Sequence, residues 1–171
     1  MRYTSWIWVP AIAVSTSVYA TTYLTVEQAQ QAIFPGSALA QSFVTLTSAQ
    51  KQAIEQRTGL TVRNPVIKLW KAPDGGLFIV DEVVGKHELI TYALGLNADG
   101  SVKAIEIMDY RESYGYEVRN PQWRKQFVGK TADAPPKFDD DIKNIGGATL
   151  SSRHLTDGIR RLLATYAAAL K

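Results

Sequence analysis

The runs LFIVDEVV (residues 77–84) and LITYALGL (residues 89–96), joined by Gly85-Lys86-His87-Glu88, decide how this chain folds. Both have strand length and are rich in the β-branched and aromatic residues that fit a pleated surface. Their short connection permits antiparallel neighbours only, because a parallel crossover needs a dozen or more residues. In residues 89–96 both alternating faces carry apolar side chains. A sheet containing that strand is covered on both sides or strongly curled.

Working outward, residues 66–70 and 102–108 read as further strands, bounded by Pro73-Asp74-Gly75-Gly76 and Asn97-Ala98-Asp99-Gly100. Upstream, Thr25-Val26-Glu27-Gln28 reads as a capping box that opens a helix with Val26, Ala29 and Ile33 on one face, stopped by Phe34-Pro35-Gly36. A second box, Thr47 with Gln50, opens a helix that ends at Gly59. Residues 110–141 lack a regular pattern and carry Gly115, Pro121, Gly129, Pro135 and Pro136. The chain then closes on an amphipathic helix through Leu155, Ile159, Leu162, Leu163, Tyr166 and Leu170. The expected fold class is α+β, a curled antiparallel sheet covered by helices.

Composition narrows the function. The 171 residues include 0 Cys and 2 His, which excludes a disulfide framework, a Cys-ligated iron–sulfur cluster, a thioether-linked haem and thiol nucleophiles. Any redox role requires a cofactor held by other means. A net charge of +3, scattered along the chain, is no nucleic-acid footprint. Residues 1–20 have the layout of a secretory signal: Arg2, the apolar run from Trp6 to Val14, and the small-residue end Val18-Tyr19-Ala20. Residues 21–171 are then the functional domain, and that signal sets the expectation of a periplasmic or otherwise exported protein, with membrane association as a further option. The Asp139-Asp140-Asp141 run reads as a solvated turn, since no spaced carboxylates follow it.

Chemistry concentrates at Gly146-Gly147-Ala148-Thr149-Leu150-Ser151-Ser152, the entry to the last helix. Two glycines and an alanine allow close approach to the backbone, and Thr149 presents a hydroxyl where free N–H groups and the helix dipole favour an anion. The same residues also read as a tight turn with Ser151 or Ser152 as an ordinary N-cap. His154 stands in the first turn of that helix.

Here the chain resembles the FMN-binding domain family, whose signature is Ser/Thr-Gly-Ala-Thr followed by Ser or Thr. Gly147, Ala148 and Thr149 match it, Gly146 replaces the Ser/Thr, and Ser151 and Ser152 follow. Lys143 stands where the family usually has Asp. The stretch Glu112-Ser113-Tyr114-Gly115 is similar to the family's ring-contacting Glu-Thr-Pro-Gly loop, and Trp123, Phe127, Gly129 and Lys130 to its Trp…Phe-x-Gly-Lys stretch.

The resemblance implies FMN joined through a phosphodiester to Thr149, at the N-terminus of the C-terminal helix. It implies cofactor contacts from Gly146, Gly147, Ala148, Leu150, Ser151, Ser152, Glu112, Ser113, Tyr114, Gly115, Lys130 and His154. It also implies a flavin transferase that attaches FMN from FAD, and a membrane or periplasmic redox partner. No paired acid and base is visible in the sequence, which favours an electron carrier over an enzyme. An FMN-dependent reductase using Glu112 or Arg111, and an exported binding module without flavin, remain the alternatives.

Overall fold

The computed structural model describes residues 21–112 and 114–171. The signal-like segment 1–20 and Ser113 lie outside the described residues. After a short strand β1 (Thr21–Thr22), both capping boxes close as the sequence predicts. Thr25 opens α1 (Val26–Ile33), where Gln28 N–H reaches its hydroxyl at 3.2 Å and Gln28 Oε1 accepts from its N–H at 2.8 Å. Thr47 opens α2 (Ser48–Thr58) in the same way, and Gly59 ends it at φ 69°. Between the two helices runs β2 (Ala40–Thr45), a strand that the sequence pattern does not announce.

Four strands follow: β3 (Val66–Lys71), β4 (Leu77–Val84), β5 (Leu89–Leu96) and β6 (Val102–Tyr110). The sheet is 6-stranded and antiparallel in the order β1-β6-β5-β4-β3-β2, so neighbours in sequence are neighbours in space except where β1 returns to β6. Register shifts in β5 at Thr91/Tyr92 and Gly95/Leu96 raise its local twist and curl the sheet.

The irregular stretch contains short helical pieces: a 3-10 turn at Tyr116–Arg119, α3 (Pro121–Arg124) and a second 3-10 turn at Lys125–Phe127. Within it Trp123 and Phe127 meet edge to face at 5.1 Å, and Trp123 Nε1–H donates to the Lys143 carbonyl at 2.7 Å. The last helix, α4 (Thr149–Thr165), widens into a π turn over Tyr166–Leu170.

The sheet is covered on both faces. On one, Leu155, Ile159, Leu162 and Leu163 of α4 pack with Ile79, Tyr92, Leu94 and Ile105. On the other, Ala29 and Ile33 of α1 pack with Trp70, Phe78, Ala93 and Met108. Helix α2 lies behind α4, with Ile54 against Ala164, Leu46 and Val62. Among the described residues no helix is long and apolar enough to cross a membrane.

Candidate functional site

Three segments far apart in sequence meet at one end of the sheet: the β4–β5 turn, the loop after β6, and the turn before α4. Glu112 fastens the first two. Its Oε1 accepts the N–H of His87 at 2.5 Å and of Glu88 at 3.0 Å. A Cβ on Gly85 would lie 2.5 Å from that oxygen, so a larger residue there would push the Glu112 carboxylate off the turn. Partial burial on its own raises the Glu112 carboxyl, but N–H bonds from Glu88, His87 and Lys86 outweigh it and hold the group below its ordinary value.

Gly115 fastens the second segment to the third. It sits at φ +91°, and a Cβ there would lie 2.5 Å from both the Ala148 Cβ and the Tyr110 hydroxyl. The Tyr110 hydroxyl donates to the Tyr114 carbonyl at 2.5 Å and lies 3.2 Å from the Ser151 hydroxyl. Burial raises its pKa; the Ser151 bond opposes this, and the Glu112 and Glu117 charges add to it. Tyr110 therefore keeps its proton and its donor role.

The turn before α4 is open. Gly146 and Gly147 are exposed, Gly147 stands at φ +81°, and a Cβ at either would meet nothing within 4 Å. Ala148 is the N-cap and makes no side-chain capping bond. The helix thus begins at Thr149, ahead of the start that a Ser151 or Ser152 cap would give. The reason is visible in Ser152, whose hydroxyl is turned inward to the Ala148 carbonyl at 3.0 Å. Lacking a capping side chain, the N–H groups of the first turn have no intrahelical acceptor. Thr149 is exposed beside them, as is Leu150, while Ser151 and Ser152 are buried.

Glu112, Tyr114, Gly115, the 146–152 turn and His154 are therefore brought together. The His154 ring is spent on the hairpin, its Nδ1–H donating to the Val84 carbonyl at 2.6 Å with the Gly85 carbonyl at 3.1 Å. Lys130 is not part of this cluster. Its backbone carbonyl accepts from Val102, at the opposite end of β6 from Tyr110, about 25 Å away along an extended strand. Its ammonium pairs with Asp141 at 2.6 Å. Sequence reasoning missed Gly85 and the linking role of Tyr110, because their partners lie 27 and 41 positions away (Glu112 and Ser151).

Among the described residues no carboxylate or imidazole hydrogen-bonds the Thr149 hydroxyl. The arrangement offers an accessible alcohol beside free N–H donors at the positive end of a helix, which suits a phosphate ester.

A family model for the FMN-binding domain matches residues 85–164. This part of the chain belongs to the FMN-binding domain family. The matched stretch takes in β5, β6, the irregular region and nearly all of α4, and with them all three segments of the site. The fold of the whole described chain is similar to that of one component of the Na(+)-translocating NADH-quinone reductase from Parabacteroides distasonis. The TM-score is 0.54 at 13% identity, covering 85% of this chain and 84% of that one. No curated protein matches the chain. The residues of the FMN-binding domain fit the group its name implies: among the described residues, the Thr149 hydroxyl and the first helix N–H groups have no partner, and Gly146 and Gly147 leave open space through which a bulky nucleotide can approach.

Proposed function

We propose that this protein is an exported electron carrier holding FMN covalently through a phosphodiester to Thr149. The observation that carries the reading is the placement of Thr149, exposed as the first residue of α4 behind a cap without a side chain and an open glycine pair. When bound, FMN supplies one- and two-electron transfer. The chain's part is to hold and shield it. The first-turn N–H groups of α4 bind the negative charge that a phosphodiester retains. The loop at Tyr114 and Gly115, fixed by Tyr110 and Ala148, supports the ring side.

With no base on Thr149, its hydroxyl is a poor nucleophile. Attachment is therefore the work of a flavin transferase using FAD, with which Gly146 and Gly147 leave room to engage. Export rests on the signal-like pattern of residues 1–20, and the redox partner is a membrane or periplasmic protein.

The test is intact-mass spectrometry after co-expression with a flavin transferase. Wild type is expected to carry one FMN that survives denaturation, and Thr149→Ala none while keeping its fold by circular dichroism. An adduct on Thr149→Ala, or a colourless wild type, overturns the reading. The second result would leave a binding module without flavin.

A further inference from the structure

The two edges of the sheet are finished differently. Along β6, Met108 C=O accepts from Tyr23 N–H at 2.9 Å and Ile105 C=O from the Arg124 guanidinium. Val102 bonds through its N–H to Lys130 and through its C=O to Gly129. Strand β2 (Ala40–Thr45) forms the other edge and pairs with β3 alone. Its 6 residues include no charge and no proline, and its register against β3 runs without a bulge. Charges, prolines and bulges are the devices that ordinarily guard such an edge.

Backbone alternation shows which groups β2 presents. Ala72 N–H bonds to Gly76 C=O at 2.8 Å, so Trp70 with Phe78, and Lys68 with Val80, are the hydrogen-bonded pairs between β3 and β4. Lys71, Leu69 and Ile67 therefore bond to β2, at Ala40, Ser42 and Val44. The bond from Leu46 N–H to Pro65 C=O at 2.9 Å continues that count. Gln41, Phe43 and Thr45 are left with N–H and C=O directed away from the sheet. Among the described residues none of these groups has a partner.

The side chains add an apolar row to the bare backbone. Val44 packs toward the α4 core, so Gln41, Phe43 and Thr45 point to the opposite face, beside Trp70, Lys68 and Val66. There Phe43 is 60% exposed and Val66 43%. An uncharged edge carrying an exposed aromatic ring is a template for another strand.

We propose that β2 pairs antiparallel with β2 of a second copy of this chain, joining two sheets edge to edge across a two-fold axis at Phe43. In that register Gln41 faces the partner's Thr45, Phe43 the partner's Phe43, and Thr45 the partner's Gln41. All three are pairs of outward-directed residues, and each pair exchanges two N–H···O=C bonds. Sliding the strands by two residues loses one of the three. The Phe43 rings meet as a cross-strand aromatic pair between Thr–Gln pairs, and no like charges are brought opposite each other. This self-complementarity selects a second copy over a foreign strand, because two-fold symmetry supplies the register by itself. At ~4.8 Å per strand, β6 and the site at its end lie about 19 Å from the joined edge, so both copies keep their Thr149 turns clear of it. The proposal goes beyond the flavin reading and needs no flavin to be tested.

Sedimentation velocity on the whole protein over a wide concentration range is expected to show a monomer–dimer equilibrium. Added salt should not weaken it, since the strand carries no charge to screen. Phe43→Lys sets like charges opposite each other at the axis and should weaken dimerisation at least tenfold. Its circular dichroism should be unchanged, because the side chain is exposed. The chain has 0 Cys, so single cysteines report the register. Phe43→Cys should cross-link under mild oxidation, since hydrogen-bonded partners have Cα atoms about 5.5 Å apart, within disulfide reach. Gln41→Cys should not cross-link alone, and should do so when mixed with Thr45→Cys.

A monomer at every concentration overturns the proposal. So does a dimer that survives Phe43→Lys, or one that cross-links through Gln41→Cys alone, since either places the interface or its register elsewhere. Slow amide exchange at Gln41, Phe43 and Thr45 in the dilute monomer overturns it as well, by showing the edge already paired.

Discussion

Two glycines at the site carry the same backbone demand and opposite surroundings, which separates folding from modification. Gly115 is at φ +91° and pressed against Ala148 and Tyr110; Gly147 is at φ +81° and open. Gly115→Ala adds overpacking to a left-handed strain and is expected to cost about 2–4 kcal/mol in urea unfolding. Gly147→Val bears the backbone strain without a clash, so the protein should stay folded. Its branched side chain stands where a transferase must approach, and intact mass after co-expression should show FMN loading slowed at least tenfold. Loading at the wild-type rate would remove the close-approach argument. Glu112 yields a pH prediction. Its carboxyl is depressed in the folded state, so its stabilisation is present above the unfolded value of about 4.3 and disappears as pH falls through the folded one. Thermal melts should put Glu112→Gln below wild type by a constant margin between about pH 6 and 8, and the margin should shrink below about pH 4. FMN content should be unchanged, because the carboxylate is occupied with the hairpin turn.

At the scale of elements, helix α4 meets the sheet through close approach and a polar clasp. Gly158 brings the helix backbone onto Tyr92 and Val83, where a Cβ would lie 2.6 Å from the Tyr92 hydroxyl. Beside it Asp81 accepts from the Tyr92 hydroxyl at 2.7 Å and from Arg161 at 2.5 Å. Burial, then the Asp81 charge, push the Tyr92 hydroxyl well above its ordinary value, so it stays a donor. Asp81→Ala leaves both donors unmatched and should cost about 2–3 kcal/mol, seen as a melting point lower by about 5–10 °C. A shift under about 1 °C would mean that water satisfies them equally well. The elements themselves were legible where local chemistry decides them. Both capping boxes, Gly59, and strands β4 and β5 fall where the sequence puts them. Strand β2 was not legible, because Ala40–Thr45 is an exposed edge whose partner β3 lies beyond a helix. The start of α4 at Thr149 agrees with the Gly147-Ala148-Thr149 motif; the alternative cap at Ser151 or Ser152 fails because the helix opens on Ala148, which has no capping side chain. At the site, Thr149 and the Gly115 loop were visible as motifs. The Glu112–hairpin bond was not, since it joins segments through tertiary structure alone.

On the scale of the whole molecule, one curled sheet separates two cores. The α4 face carries the site at its end, and the α1 face holds Ile33, Phe34, Trp70, Phe78 and Met108. Gly95 lets α1 lie down on β5, since a Cβ there would run into Ile33 Cγ2. The two cores share no side chain, but both draw on β3, β4, β5 and β6, so loss of one face should unfold the other. Ile33 is 3% exposed, and Ile33→Ala leaves a cavity that typically costs about 2–5 kcal/mol. In a domain of this size that lowers the melting point by roughly 4–20 °C. Calorimetry should still show a single transition, because the ladder from β3 to β6 links the two faces. Below that transition, the Thr149 turn sits on the far side of the sheet, held by Ala148, Gly115 and Tyr110 rather than by α1. Folded Ile33→Ala should therefore accept FMN from the transferase as fully as wild type. A second calorimetric peak would mean that the α1 face unfolds by itself. Reduced loading at temperatures where the variant is fully folded would mean that strain crosses the sheet from Gly95 to the site, and the two faces would then have to be treated as one functional unit.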